Sequence, residues 1–191
     1  MSKSAITAAP ILPVLAERWS PRAYDATHEI SQHELLSVLE AARWAPSGNN
    51  TQPWRFSVAT RGTHAFEQIV TGLSGFNAAW SPKASAYVVV SVTTNHPDGS
   101  PVKSAKFDAG LATSQLVIQA HELGLHAHIM GGIEHAVIAS VLELPEGVEP
   151  VVIVTLGKVA PATSLEGPAY EREIAPRTRL ELDEIVLTGK P

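Results

Sequence analysis

The sequence has no cysteine in its 191 residues. A chain without thiols forms no disulfide, no thiolate metal site and no cysteine nucleophile, and it suits a reducing compartment. Long hydrophobic runs are also lacking, because polar residues interrupt each stretch before the roughly 20 residues that a membrane-spanning helix needs. Residues 1–9 do not follow the charged-then-apolar order of a secretory signal. We therefore expect a cytoplasmic protein with no membrane partner.

Charge is scarce as well. Charged residues make up 17% of the chain, against an average of about 25%, which predicts that extra surface is buried between subunits. The formal net charge of −5 disfavours a nucleic-acid surface. Hydrophobic residues at 45% suffice for the core of a single domain over residues 1–191. Residues 1–9 show no periodicity and are expected to be disordered.

Several motifs of known chemistry are missing. The sequence has no Gly-x-Ser-x-Gly elbow, no Rossmann or P-loop glycine pattern and no His-Glu-x-x-His. His126 and His128 would share one face of a strand, and His121 and His135 are their candidate neighbours. No carboxylate stands at a spacing that completes a ligand set, so we predict no metal site.

Hydrophobic periodicity predicts a mixed α and β chain. The predicted helices span residues 11–19, 31–45, 63–73, 105–124 and 134–144, and the predicted strands span 54–59, 86–92, 125–130 and 151–156. Ser31 and Glu34 form a capping box at the start of the second helix. Val58 is expected on the core face of the first strand, and Phe107 on a buried stripe of the longest helix. The valine-rich strand 86–92 is expected at the centre of the sheet.

Residues 45–55 form a stiff and polar link between a helix and a strand. Gly48 can adopt backbone angles that other residues avoid, and Pro53 should push Gln52 towards an extended conformation. The intervening side chains are rich in hydrogen-bond donors and acceptors. Two interpretations stand at this point: a binding loop for a ligand with heteroatoms on a flat edge, or an ordinary helix-to-strand connection.

Alternating polar residues follow the first helix. If residues 18–22 are extended, Arg18, Ser20 and Arg22 point to one side and could bind a phosphate or the carbonyl edge of a ring. A solvated basic helix end is the alternative. Gly131 and Gly132 stand between a strand and a helix, where a ligand could approach the backbone, although a tight turn would use the same pair.

Two of these stretches resemble the nitroreductase family of FMN-dependent oxidoreductases. Residues 46–54, Pro-Ser-Gly-Asn-Asn-Thr-Gln-Pro-Trp, resemble its Pro-Ser-x-x-Asn-x-Gln-Pro-Trp signature. Residues 18–24 resemble its Arg-x-Ser-x-Arg/Lys-x-Phe opening. Arg177 and Arg179 resemble its C-terminal basic pair. The likeness runs from Arg18 to about Val186.

The resemblance implies an α+β fold, with a mainly antiparallel central sheet flanked by helices, in an intertwined homodimer. It implies that the tail, residues 158–191, wraps the partner subunit. Bound FMN is the implied cofactor, with NAD(P)H as an electron-donating substrate that visits the site, in agreement with the missing Rossmann pattern.

The resemblance also assigns cofactor-binding residues. Arg18 and the pair Arg177 and Arg179 would grip the phosphate. Trp19, Ser20 and Arg22 would contact the ribityl chain and the pyrimidine edge, and the Arg22 cation would raise the flavin potential. The remaining implied contacts are Asn77, Gly131 and Gly132 around the ring and, in the motif loop contributed by the partner, Pro46, Ser47, Gly48, Asn50 and Gln52. No side chain is assigned a catalytic role, because the flavin carries the chemistry.

The implied activity is reduction of nitroaromatics, quinones or similar electron-poor acceptors by a ping-pong hydride mechanism. A dehydrogenase or reductase for one metabolic intermediate is an alternative, and so is a non-catalytic flavin store. The sequence leaves open the natural oxidant, the choice between NADH and NADPH, one- or two-electron reduction, and whether His128 lines the substrate site.

Overall fold

The computed structural model of the protein describes residues 3–189. In this range the helices are α1 Pro13–Glu17, α2 Gln32–Arg43, α3 His64–Thr71, α4 Ala105–Glu122, α5 His135–Val141, α6 Gly167–Ile174 and α7 Leu182–Ile185. The strands are β1 Trp54–Thr60, β2 Ala86–Thr93, β3 His126–Met130 and β4 Val148–Gly157.

The four strands of the described residues form one antiparallel sheet in the order β1-β2-β4-β3. Its register pairs Trp54 with Val92 at one end, and Ala86 with Leu156 near the other. Strand β2 is an inner strand and is buried along nearly its whole length. The expected α+β fold and the central position of the valine-rich strand are both confirmed.

Each face of the sheet is covered by helices. One core packs α2 and α4 against one face, through residues such as Val38, Ala112 and Leu116. A second core packs α3, α5 and α6 against the other, through Ile69, Ile138 and Ala169. The buried stripe of α4 is lined mainly by alanine, which lets the helix lie close to its neighbours.

Two side chains expected in the core are exposed. Val58 lies on β1, an edge strand that the helices cover only in part, while its neighbour Ala59 is buried against the second core. Phe107 is 72% exposed, because the buried stripe of α4 runs through Ala105, Asp108 and Ala109. The expectation was wrong for Val58, and Phe107 lies outside the core of a single chain.

The C-terminal segment contains a helix that the periodicity did not predict. Helix α6 is eight residues long and buries only Ala169 and Glu173, so no apolar stripe marks it in the sequence. At the other terminus, residues 1 and 2 lie outside the described residues. From residue 3 onward the chain lies near α1, where the Ala5 N–H donates to the Ala16 carbonyl at 2.8 Å.

The N-terminus of α2 carries the predicted capping box. Ser31 Oγ accepts the Glu34 N–H at 3.2 Å, and the Glu34 carboxylate accepts the Ser31 N–H at 2.8 Å. Replacing Ser31 with alanine is expected to lower the free energy of unfolding by about 1 kcal/mol, because the Glu34 N–H loses its acceptor and the Glu34 carboxylate loses the Ser31 hydroxyl donor. Urea unfolding measures this loss. Ser140→Ala, an exposed serine within α5, should cost almost nothing, and an equal loss in both variants would contradict the prediction.

No helix among residues 3–189 combines the length and the apolar character needed to cross a bilayer.

Candidate functional site

A basic cavity of about 260 Å³ joins the two ends of the chain. Helix α1 ends at Arg18, whose φ of −59° and ψ of 133° turn the backbone into an extended segment. The turn after α6 brings the C-terminal arginines against it. The cavity is lined by Lys3, Arg18, Trp19, Ser20, Arg172, Ala175, Pro176, Arg177 and Arg179. Arg18, Ser20 and the two C-terminal arginines therefore meet, although about 160 residues separate them along the chain.

Five cations and no carboxylate line this cavity. Burial, followed by the neighbouring guanidiniums of Arg177 and Arg179, lowers the pKa of Arg18. Burial and Arg179 likewise lower the pKa of Arg177. Among the described residues no ion pair involves any of these arginines. Like charges held together without a counterion favour an anionic ligand, and forked guanidiniums suit a phosphate.

Two polar contacts fix the cavity wall. Arg177 donates from one nitrogen to the carbonyls of Lys3 and Ala16, the latter at 2.7 Å. The Lys3 ammonium lies 4.4 Å from the centre of the Trp19 ring. The N-terminal segment, α1 and the C-terminal segment are therefore tied together at this cavity.

Arg22 lies four residues beyond Arg18, at a bend of the chain and over a buried aromatic ring. Its guanidinium carbon is 6.0 Å from the centre of the Trp80 ring. Arg22 Nε is buried and has no hydrogen-bond partner among the described residues, and the same holds for Trp80 Nε1. Buried donors without partners are rare in folded proteins. Both donors are thus unsatisfied within one chain.

His128 contacts the backbone of residues 18–22. Its Nδ1 donates to the Pro21 carbonyl at 2.9 Å, and its ring lies 4.6 Å from the Trp80 ring. Next to it, Tyr24 and Thr155 share a buried hydrogen bond of 2.7 Å between their hydroxyls. Because Nδ1 is engaged by the backbone, that nitrogen is not free to contact a substrate.

Two further histidines lie under Trp19. The rings of His121 and His126 are 5.1 Å apart, and the His126 ring is 6.0 Å from that of Trp19. His135 is elsewhere and contacts the Pro150 carbonyl. Within residues 3–189, no group of three or more histidine or acidic side chains has the geometry to hold a metal ion.

The buried histidines predict a stability loss in mild acid. Burial lowers the pKa of His128 to about 4, from about 6.5 in the unfolded chain. Below pH 6.5 the unfolded state binds a proton that the folded state does not, so stability falls from pH 6.5 towards pH 4, by up to about 1.4 kcal/mol per pH unit. Urea midpoints measured between pH 6.5 and about 5, where most carboxylates remain ionised, report this slope.

His128→Asn keeps an N–H donor for Pro21 and should remove about half of the histidine-dependent slope. The other half remains because burial also lowers the pKa of His126 to about 4. His33→Asn, at an exposed histidine, should leave it as in the wild-type protein. An unchanged slope in His128→Asn would show that the proton uptake arises at another group.

The motif loop, residues 46–52, is held at the N-terminus of α4. The Gly48 N–H donates to the Asp108 carboxylate at 3.3 Å, and Ser104 Oγ donates to the same carboxylate at 2.8 Å. Asp108 is only 2% exposed. Ser47 Oγ accepts the Gln52 N–H at 3.0 Å, which closes the loop on itself.

Two backbone expectations for this loop were wrong. Gly48 does not adopt a positive φ, whereas Asn49, Asn50 and Gln52 do, at 51°, 57° and 48°. Close approach favours glycine at residue 48 instead, since a Cβ there would lie 3.2 Å from Ser104 Oγ, tighter than an ordinary contact. Gln52 is left-handed despite the following proline. Three non-glycine residues in this conformation store strain, which is typical of functional loops.

The motif loop is remote from the basic cavity within one chain. It leads directly into Trp54 at one end of edge strand β1, while His128 pairs through β4 and β2 with Ala59 on β1. Trp54 and His128 are therefore offset by five residues along the strand direction and by three strands across the sheet. With about 3.3 Å per residue and 4.8 Å per strand, the loop lies about 20 Å from the Arg22 segment.

The glycine pair and Asn77 come together at the end of β3. Asn77 Nδ2 donates to the Gly132 carbonyl at 3.1 Å, and the Ser74 N–H donates to the same oxygen at 3.2 Å. A Cβ on Gly132 would lie 3.0 Å from Asn77 Nδ2, so the turn requires glycine there. Gly131 faces open space.

Four residues of this region were missed from the sequence. Lys3 and Arg172 line the basic cavity, and Trp80 lies beneath Arg22. Glu173 contacts the backbone of Arg22. None belongs to a recognisable motif, and each reaches the site through a contact between distant parts of the chain. Trp80 alone had a signal, as the aromatic residue of the polar loop around Asn77.

Comparison with known proteins identifies the family. The family model described as "Nitroreductase family" matches residues 15–79 and 72–158. An uncharacterised 15.4 kDa protein of Mycolicibacterium smegmatis is 32% identical over 143 residues, which are 71% of this chain and 96% of the relative. An oxygen-insensitive NADPH nitroreductase of Helicobacter pylori is 38% identical over 77 residues, 40% of this chain and 36% of that protein.

A solved structure agrees over the whole fold. The crystal structure of an oxidoreductase containing FMN superposes with a TM-score of 0.92 at 34% identity and covers 100% of this chain and 97% of that one. The C-terminal arginines lie outside the residues that the family model matches, so their place at the cavity comes from tertiary geometry alone. The extent of these matches shows that the chain belongs to the nitroreductase family.

Proposed function

We propose that the protein is an FMN-dependent oxidoreductase that uses NAD(P)H to reduce nitroaromatics, quinones or similar electron-poor acceptors. The observation that carries this proposal is the basic cavity between residues 18–20 and 177–179, next to the buried Arg22 donor. The 34% identical oxidoreductase is described as containing FMN, and the Helicobacter pylori relative is named a NADPH nitroreductase.

The residues of the region fit an FMN molecule. The cavity supplies guanidiniums and Ser20 for a phosphate dianion, which binds best to charge-assisted, forked donors. Arg22 Nε is a buried donor without a partner among the described residues, as expected for a group that meets a ring heteroatom. The tight Asn77 and Gly132 turn offers backbone to a flat ligand, and Gly131 leaves space beside it.

In this proposal the chain's own residues bind FMN, orient it and adjust its reduction potential. Arg18, Arg177 and Arg179 hold the phosphate, and Trp19 and Ser20 border the ribityl chain. Bound FMN supplies the transfer of electrons from NAD(P)H to the acceptor. Arg22 places a positive charge beside the pyrimidine edge and thereby favours the anionic reduced flavin.

A second copy of the chain completes the proposed site. The motif loop carries the family signature but lies about 20 Å from Arg22 within one chain. We assign Pro46, Ser47, Gly48, Asn50 and Gln52 to the site of the partner. The large apolar side chains that one chain leaves exposed fit burial in a homodimer. They include Leu36, Trp44 and Phe107, and the tail residues Leu180, Leu182 and Leu187.

The class of acceptor is inferred from how open the proposed site is to substrates. The link between β2 and α4 is a short pinned turn, where the Val102 N–H donates to the Thr94 carbonyl at 2.8 Å and Asn95 bridges to Pro101. It is too short to form a large lid. A site without a lid suits acceptors of varied shape better than one tightly enclosed metabolite.

The visible spectrum of the purified protein tests the proposal. We expect a yellow protein, or one that becomes yellow on addition of FMN, whose absorbance bleaches under anaerobic NADH or NADPH and returns with a quinone or nitroaromatic. Protein that remains colourless and takes up no FMN would refute the cofactor. Bound FMN that neither nicotinamide reduces would leave a flavin store as the function.

A further inference from the structure

Glu173 is a buried carboxylate that lies outside every motif of the sequence. It is 2% exposed and sits near the end of α6, in the segment expected to be a tail. No ion pair involves it among the described residues. A carboxylate taken out of water without strong partners is costly, so its place in the fold requires an explanation.

Its partners are the backbone of the flavin-facing segment. One carboxylate oxygen accepts the Arg22 N–H at 2.7 Å, and the other accepts the Ala23 N–H at 3.4 Å. The carbonyl of the same residue accepts the Lys3 ammonium. Glu173 thus holds the segment beside the basic cavity from the C-terminal side of the chain.

Its charge also acts on Arg22. Burial lowers the pKa of the Arg22 guanidinium, Glu173 opposes this effect, and Arg172 adds to it. The guanidinium itself rests near the Trp80 ring rather than on the carboxylate. Glu173 therefore offsets part of the Arg22 charge without occupying its donors.

We infer that Glu173 is a positioning residue for Arg22: it fixes the Arg22 backbone and limits the positive field that Arg22 exerts on the bound flavin. This inference rests on the proposed function and extends it to a residue outside the cavity. A buried acid facing two consecutive backbone N–H groups would serve both purposes, because these donors hold it in place while its charge remains close to the guanidinium.

The first experiment measures the midpoint potential of bound FMN. Glu173→Gln keeps an oxygen that accepts the Arg22 N–H but removes the negative charge. We expect the variant to favour binding of reduced over oxidised FMN by about five-fold more than the wild-type protein does. This corresponds to a rise in the midpoint potential of about 20 mV for a two-electron couple. Glu171→Gln makes the same charge change at an exposed position of α6 and should leave the potential at the wild-type value. A purely structural residue would alter stability in Glu173→Gln without moving the potential.

The second experiment needs no cofactor. Hydrogen exchange at the Arg22 and Ala23 amides of the apoprotein should quicken at least ten-fold in Glu173→Ala, less in Glu173→Gln, and not at all in Glu171→Ala. If Glu173→Gln does not fold, Glu173→Asp replaces it. Because aspartate keeps the negative charge, the midpoint potential should stay at the wild-type value. Because its side chain is shorter, hydrogen exchange at the Arg22 amide should quicken.

The outcomes separate the two proposals. Wild-type protein that takes up no FMN refutes the proposed function, while the exchange experiment still tests the contact to Arg22. Wild-type protein that binds FMN, together with equal potentials in Glu173→Gln and Glu171→Gln, refutes the role of Glu173 alone. Unchanged exchange at Arg22 in Glu173→Ala refutes it as well.

Discussion

Replacing Arg18 and Arg179 together with alanine is expected to weaken FMN binding by about a hundred- to ten-thousand-fold. Each removes a charged donor from a cavity that holds five cations and no carboxylate, and a hydrogen bond to a charged group contributes about 1.5–3 kcal/mol. Fluorescence titration of the apoprotein with FMN gives the two dissociation constants.

Two controls isolate the phosphate. Riboflavin lacks that group, so its weaker affinity should differ little between the wild-type protein and the double variant. Lys103→Ala with Lys106→Ala removes the same charge from exposed positions and should leave FMN affinity nearly unchanged. If riboflavin binding fell as far as FMN binding, the arginines would be maintaining the fold of the cavity rather than gripping phosphate.

Mixing two impaired variants is expected to restore activity. In the proposed dimer each site combines the arginines of one copy with the motif loop of the other. Asn50→Gly with Gln52→Gly removes the loop side chains yet tolerates the positive φ at both positions. Co-refolded with the Arg18 and Arg179 double variant, half of the dimers are mixed and hold one intact site each, so about a quarter of wild-type activity should return.

A different activity is expected from the mixture if each site is formed by a single chain. If the complete site lay within one chain, every site in the mixture would carry one defect, and activity would stay at the average of the two variants. Wild-type protein refolded in the same way measures the recovery from refolding. Sedimentation of each variant checks that both remain able to form the same oligomer.

Local signals in the sequence predicted much of the fold. The capping box at Ser31 fixed the start of α2, and a continuous valine run marked β2 as an inner strand. Both depend on neighbouring residues, so spacing alone reveals them. Val58 was misplaced because burial depends on which helix covers a face, and that is decided by distant residues.

Residues of the proposed site could be predicted only where they belong to a recognisable sequence motif. Arg18, Ser20, Arg177 and Arg179 were identified by family resemblance, and the structure brings them together around one cavity. Glu173 and Asp108 were not identified, although each binds a segment of the proposed site through backbone N–H groups of that segment. A carboxylate that binds backbone amides places no constraint on the sequence of its partner, and so leaves no motif.

The sequence by itself determined the order of the first five helices and the four strands, the absence of thiol chemistry and the two stretches that carry the family signature. These follow from residue type and spacing along a short length of chain. Tertiary structure decided that arginines about 160 residues apart share one cavity, that α6 supplies a carboxylate to the Arg22 backbone, and that the motif loop lies about 20 Å from Arg22 within one chain. The reason is physical: charge, burial and distance belong to the packed arrangement, and the sheet register sets them across strands that are far apart in sequence.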